Sequence, residues 1–331
     1  MSADGAGEAH AGASPRQGWL CGIAAYLIWG FAPLYWRLVR DLPAVTLLAL
    51  RVLFAAAMLA LLLFWLRRRQ DAGGSPQRLR LRRHLNRRTL AFFLVAALLI
   101  GTNWFVFLWA VLTDRVVEAA LGYFVNPLVN VALGTLVLGE RLRPLQWTAI
   151  VLAAIGVGIF AWTTGGLPWI SLVLAGSFGL YGLVRKTAPA GALEGSALEM
   201  LFLVPLAVAG LALVGPDDLA VLAALDVGGW LLLSVSGLIT VSPLLLFTRA
   251  ARILPLSSIG FLQYLAPTCQ FLLAVLLFAE PFDRGRLVAF LWIWTALALF
   301  TLDLRSAARA SRRRALSTGG PAEDAAGEAP A

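Results

Sequence analysis

Ten apolar runs, each close to the length that crosses a bilayer, set the terms for this chain. They cover 18–37, 43–66, 89–112, 116–138, 145–163, 168–184, 193–214, 228–248, 256–278 and 286–304. A spanning helix needs about 20 apolar residues, because each adds about 1.5 Å along the axis. Lipid offers no hydrogen bonds, so a backbone there must satisfy itself, and helices are the element expected. The rest of the chain offers no soluble alternative. Of the 331 residues 60% are hydrophobic and 14% charged, against about 25% charged in ordinary soluble domains. The expected fold class is an all-α integral membrane protein with ten transmembrane helices. Residues 1–16 and 306–331, rich in Ala, Gly, Ser and Glu and without apolar periodicity, are expected to be disordered tails.

Charge orients the spans. The stretch 67–88 holds nine Arg and one Asp, and Lys and Arg concentrate in cytoplasmic loops. With that stretch inside, ten spans put both termini inside. Of the 27 Lys and Arg, 21 then fall inside, five fall outside, and Arg51 lies within a span. The acidic loop "GPDDLAVLAALDVGG" falls outside. The Arg-rich loop is expected to face anionic lipid, and nucleic acid is not expected as a partner. The N-terminal "MSADGAGEAHAGASPRQ" lacks a basic leader region, so the first run reads as an uncleaved span. Cys21 and Cys269 both lie in apolar runs and give no disulfide framework. His10 and His84 lie outside the spans, so neither a His-based metal site nor a cofactor is expected.

The chain repeats itself. Pro127 to Glu140 is a step of thirteen residues, Pro267 to Glu280 is thirteen again, and the offset of 140 holds without a gap through Phe160 and Phe300. Upstream, "WGFAPLYWR" (29–37) resembles "FGLYGLVRK" (178–186) at an offset of 149. These offsets imply a first five-span repeat over 17–163 and a second over 164–305. An odd number of spans per repeat inverts the second copy, and inverted repeats place a substrate near the midplane where they meet. At about 100° per residue, Tyr123, Asn126 and Asn130 share one face of span four. Gln263 and Gln270 occupy the places of Tyr123 and Asn130 in span nine. Two readings stand side by side. Such amides hydrogen-bond between helices at about 0.6–2 kcal/mol each, or they line a central aqueous pocket. Pro127 and Pro267 each free a carbonyl one turn upstream, which something else must satisfy.

"AYLIWGFAPLYWRL", "GTNWFVFLWAV", "EAALGYFVNPLVNVALG", "LGERLRPLQW" and "SSIGFLQYLAPTCQFLLAVLLFAEP" resemble the RarD-type permeases of the EamA group, within the drug/metabolite transporter superfamily. The resemblance covers residues 18–304. It implies a bacterial inner-membrane transporter built of two inverted five-helix repeats around a central substrate cavity.

Charges inside the spans need partners. An unpaired Arg at a helix centre costs at least about 2.5–3.5 kcal/mol, and Glu118 is the partner expected for Arg51. Glu199, in "GSALEML", falls near the equivalent of Arg51 in the second copy. Glu118 and Glu199 are the candidates for proton coupling. Glu140 and Glu280 end their spans and are each expected to cap the helix that comes next, whose N-terminus favours acid.

The function that emerges is a secondary transporter moving a small amphipathic metabolite or drug, outward. No Gly-x-x-x-x-Gly-Lys-Ser/Thr loop is present to use ATP directly. Candidate substrate contacts are Tyr123, Asn126, Asn130, Gln263 and Gln270, with Asn103, Trp104, Tyr264, Tyr181 and Trp29 beside them. Trp36 and Phe124 complete the rings that could stack on an apolar ligand. Trp19, Trp65 and Trp169, at span ends, are expected to anchor at the interface. A membrane-embedded enzyme such as a lipid-phosphate hydrolase would need a nucleophile or metal beside paired acid and base groups. No span carries His, and the span carboxylates lie far apart in sequence. A non-transporting sensor or scaffold is the other alternative.

Overall fold

The computed structural model describes residues 14–73, 86–138, 142–187, 192–254 and 262–318, and every regular element among them is helical. The first half contributes α1 (Pro15–Leu38), α2 (Ala44–Gly73), α3 (Arg87–Leu112), α4 (Val116–Leu138) and α5 (Pro144–Thr164). The second contributes α6 (Trp169–Thr187), α7 (Ala192–Ala212), a short α8 (Pro216–Ala223), α9 (Val227–Ile253), α10 (Leu265–Leu272) and α11 (Arg284–Thr318). α10 runs on into a π-helical turn, Leu273–Leu277. α1–α5, α7, α9 and α11 are long and apolar enough to cross a membrane, while Trp169–Arg185 and Leu265–Leu277 are shorter apolar helices. Residues 256–261, where span nine was expected to begin, lie outside the described residues. The chain is an all-α integral membrane protein.

Local chemistry sets the helix ends. Ser14 caps α1, whose first residue is Pro15, a position where the missing amide proton costs nothing. Asn86 accepts from Thr89 N at 2.9 Å to start α3. Gly165, at φ 70°, ends α5 in the left-handed region that a side chain would strain.

Three expectations are corrected here. α1 begins at Pro15, inside the tail expected over 1–16, and residues 1–13 lie outside the described residues. The tail expected over 306–331 is helical to Thr318, and only 319–331 lie outside. Its "SAARASRRRALS" lacks apolar periodicity, but Ala and Arg are strong helix formers and extend a helix already nucleated. Likewise α2 continues to Gly73, taking in the start of the Arg-rich 67–88, of which 74–85 lie outside the described residues. The acidic loop also holds α8, with Pro216 at its start and Asp217 and Asp218 in its first turn.

The main packings across the two halves form a symmetric set. Exchange α1–α5 with α6, α7, α9, α10 and α11 in order. The pair α1–α9 then becomes α6–α3, α2–α9 becomes α7–α3, and α1–α10 becomes α6–α4, and each of these packs. The pairs α2–α7, α4–α10 and α5–α11 map onto themselves, and they pack too. Helix backbones come close together at several crossings, two of them beside the site described below. A Cβ on Gly122 of α4 would come within 2.7 Å of the Ser171 carbonyl of α6. One on Gly237 of α9 would meet the Phe54 carbonyl of α2 at 2.7 Å. Side chains such as Leu136, Trp162 and Leu213, each more than 80% exposed, face outward as a lipid-solvated surface allows.

Candidate functional site

The α2–α9 crossing at Gly237 buries Arg51, three residues along α2 from Phe54. Arg51 is 7% exposed, and its Nε donates to Thr240 Oγ1 at 3.0 Å. Thr240 in turn donates to the Ser236 carbonyl at 2.8 Å. The guanidinium carbon lies 4.4 Å from the ring centroid of Trp104 on α3 and 5.2 Å from that of Trp36 on α1. Nη1 is fully covered and makes no hydrogen bond among the described residues. Among the described residues, the ionisable groups nearest this charge are Tyr123 and Tyr35, both phenols.

Glu118, the partner expected for Arg51, is engaged elsewhere. Arg115 Nε donates to Glu118 Oε1 at 2.6 Å. The reason is local: α4 starts at Val116, so an i, i+3 pair on its first turn meets more readily than a pair between helices. Arg115 also lies 5.7 Å and 5.9 Å from the rings of Trp109 and Trp169, so Trp169 belongs to a packed ring cluster. Arg51 therefore faces two indoles and one hydroxyl. Cation–π contacts supply about 0.5–2 kcal/mol, which does not cover the desolvation of a buried, unpaired guanidinium.

Beside it, the polar face of α4 meets α3 and α6. Tyr123 donates to Asn103 Oδ1 at 3.0 Å, and Asn103 Nδ2 lies 3.1 Å from both the Leu174 carbonyl and Ser177 Oγ. Asn126, fully buried, donates to the Ala175 carbonyl at 3.3 Å and accepts from Asn130 at 2.9 Å. These bonds tie α3 and α4 to α6, as the helix-packing alternative for the α4 amides expects of Asn126. Asn130 remains exposed beside Gly179 and Gly182. Rings continue the row: Phe178 lies 6.3 Å from Tyr123 and 6.1 Å from Tyr181.

Tyr181 leads to Glu199, which is 3% exposed. Its Oε2 accepts from Tyr181 at 3.3 Å, and its Oε1 lies 3.5 Å from Arg185 Nη1. The sequence placed Arg185 in a loop, but α6 continues to Thr187 and carries it inward.

The second copy's amides do not join this group. Gln270 Nε2 donates to the Trp29 carbonyl at 3.2 Å. Gln263 and Tyr264 are half-buried, and no hydrogen bond or ring contact among the described residues links them to Arg51. The structure thus gathers Arg51, Trp104, Tyr123 and Asn103, extends the row to Asn126, Asn130, Tyr181 and Glu199, and sets Gln270 with Trp29.

Thr240, Ser236 and Ser177 were missed, since isolated hydroxyls in apolar runs leave no periodic signal. The spacing of Ser236 and Thr240, one turn apart, could have marked that face. Glu280 is also corrected. It caps α4 of the other half, accepting from Val116 N at 2.8 Å and Val117 N at 2.9 Å. The helix after it is served by Asp283, which accepts from Arg286 N at 2.8 Å, leaving Glu280 free to reach across. Glu140 lies outside the described residues. No group of three or more His, Cys, Asp or Glu that could hold a metal occurs among the described residues.

With a polar cluster buried between two helical halves, the comparisons with known proteins place the chain among membrane transporters. The profile of the EamA-like transporter family matches residues 16–162. An uncharacterized transporter of Pseudomonas aeruginosa is 45% identical over 294 residues, covering 88% of this chain and 95% of that one. Protein RarD of Escherichia coli is 42% identical over 291 residues, covering 87% and 95%. The uncharacterized transporter YojE of Bacillus subtilis is 40% identical over 300 residues, covering 91% and 98%. A crystal structure 19% identical superposes with a TM-score of 0.56, covering 87% of this chain and 98% of that one, and so shares the fold. The chain belongs to the EamA-like transporter family, on its RarD-type branch.

Proposed function

We propose that the protein is a secondary transporter that exports a small amphipathic metabolite or drug across the bacterial inner membrane by alternating access. The observation that carries this is the composition of the Arg51 cluster. Arg51, Trp104, Asn103 and Tyr123 come from the first half, while Thr240 and Ser177 come from the second. A site shared by two halves changes shape when they rock against each other, which is what exposing it to one side and then the other demands. We read residues 17–163 and 164–305 as the two repeats, with both termini cytoplasmic and the Arg-rich 67–88 against anionic headgroups. Aromatic faces and uncharged hydrogen-bonding groups around one cation suit a ligand with an apolar body and few polar atoms.

Counterflow tests this. Liposomes holding the purified protein and an excess of one unlabelled compound are given traces of the labelled form. Amino acids, nucleosides and antibiotics are screened in turn. The expected result is protein-dependent accumulation of label for at least one class. No accumulation for any class, by protein that is folded in the same liposomes, would count against transport.

A further inference from the structure

Four charged side chains are buried among the described residues: Arg51, Glu199, Glu280 and Asp303. Three of them are answered within the protein. Glu199 lies on Arg185, Asp303 Oδ2 is 3.0 Å from Arg143 Nη1, and Glu280 takes two amide protons of a helix N-terminus. Among the described residues, Arg51 meets no opposite charge and no helix C-terminus. A buried charge left in that state asks for a counter-ion.

The geometry says which kind. Indole rings lie over the guanidinium at 4.4 Å and 5.2 Å, and Nε is used by Thr240, so the unused donors lie along the edge at Nη1. An acceptor reaching that edge must lie near the guanidinium plane. A planar carboxylate does this well, because its two oxygens match the fork of N–H donors. The same indoles would then flank whatever the carboxylate is attached to.

We infer that Arg51 is the anchor for the carboxylate of an organic acid with an aromatic or apolar body, held with its charged group at Nη1 and its body against Trp104 and Trp36. This rests on the transport reading for the ligand's route, since Nη1 is covered in the described conformation and is reached only when the helices part. The binding step itself can be tested apart from transport. A lipid phosphate offers similar chemistry, so the test must separate the two sources.

The probes are matched pairs: benzoate and benzamide, phenylacetate and phenylacetamide, indole-3-acetate and indole-3-acetamide. Full-length protein is delipidated in a neutral maltoside detergent. Binding is read as a thermal shift and by equilibrium dialysis, and exchange is read separately in liposomes. At least one carboxylate should bind on the order of tenfold to a hundredfold more tightly than its amide, the range for a charge-assisted hydrogen bond. Arg51→Gln should erase that preference, and Arg51→Lys should restore part of it, because charge returns without the planar fork. The amide comparison uses wild-type protein alone, so an unfolded variant leaves the test intact. Amides binding as well as carboxylates, or neither series binding, would overturn the inference. So would phosphatidylglycerol displacing every bound carboxylate at equimolar ratio, which would make a headgroup the occupant. A carboxylate that binds through Arg51 but is never exchanged would support the anchor and sink the transport reading. Exchange of amides alone would do the opposite.

Discussion

Pro33, inside α1, has no amide proton for the Trp29 carbonyl one turn earlier. Gln270 supplies one from the other half at 3.2 Å. Removing that donor leaves a buried carbonyl unpaired, at about 1–3 kcal/mol, so Gln270→Leu should lower the unfolding temperature in detergent. Pro33→Ala returns the missing amide, and in that background Gln270→Leu should cost clearly less. Equal losses in both backgrounds would detach Gln270 from Pro33. The sequence marked Gln270 as polar on a chosen face, yet it could not choose between pocket and packing, because that depends on which carbonyl another helix leaves open. Arg51 shows the same limit. Its buried charge was legible, but its neighbours come from α1, α3 and α9, up to 189 residues away. With Glu118 held by Arg115, the effects of Arg51→Leu and Glu118→Leu on thermal stability should add within about 0.5 kcal/mol. A larger coupling energy would bring the two charges back together.

At the scale of elements, apolar run length made the spanning helices legible, since it depends directly on the thickness of a bilayer. What escaped was set by local chemistry or by distant contacts: α8 in the acidic loop, the continuation of α11 to Thr318, and the π-helical turn after α10. The start of α4 depends on a residue 163 positions away, as Glu280 caps Val117. Glu280→Ala should destabilise by about 1–2 kcal/mol, as other lost N-caps do. It should also speed hydrogen exchange at Val116 and Val117 ahead of other helix starts, and unchanged exchange there would remove the cap from the account. The α4–α6 crossing gives a second check. Gly122→Val places side-chain atoms against the Ser171 carbonyl, where an added Cβ already sits at 2.7 Å. It should disrupt folding far more than Gly158→Val, because nothing lies within 4 Å of a Cβ on Gly158.

At the scale of the molecule, the main helix packings across the two halves pair symmetrically, as a chain whose sequence aligns with itself at offsets of 140 and 149 would lead one to expect. Symmetry of pairing does not make the halves chemically equal. The first half carries the unanswered cation at Arg51, whereas the second holds Glu199 with Arg185. That inequality was not legible, because the offsets align positions and say nothing of the company each residue keeps. The orientation we propose has its own check. A periplasm-active reporter fused at Asp217 should be active and one fused at the C-terminus silent, and the reverse pattern would turn the molecule over. The central claim is that one buried site, shared by both halves, opens to each side of the membrane in turn. It is tested most directly by a single cysteine at Trp104, with Cys21→Ser and Cys269→Ser removing the native thiols. Thiolates react only where water reaches them, so a membrane-impermeant reagent reports access from the side on which it is placed. The account expects Trp104→Cys to be labelled from the outside in intact cells and from the inside in inverted vesicles. Labelling from one side only, or from neither, would contradict it.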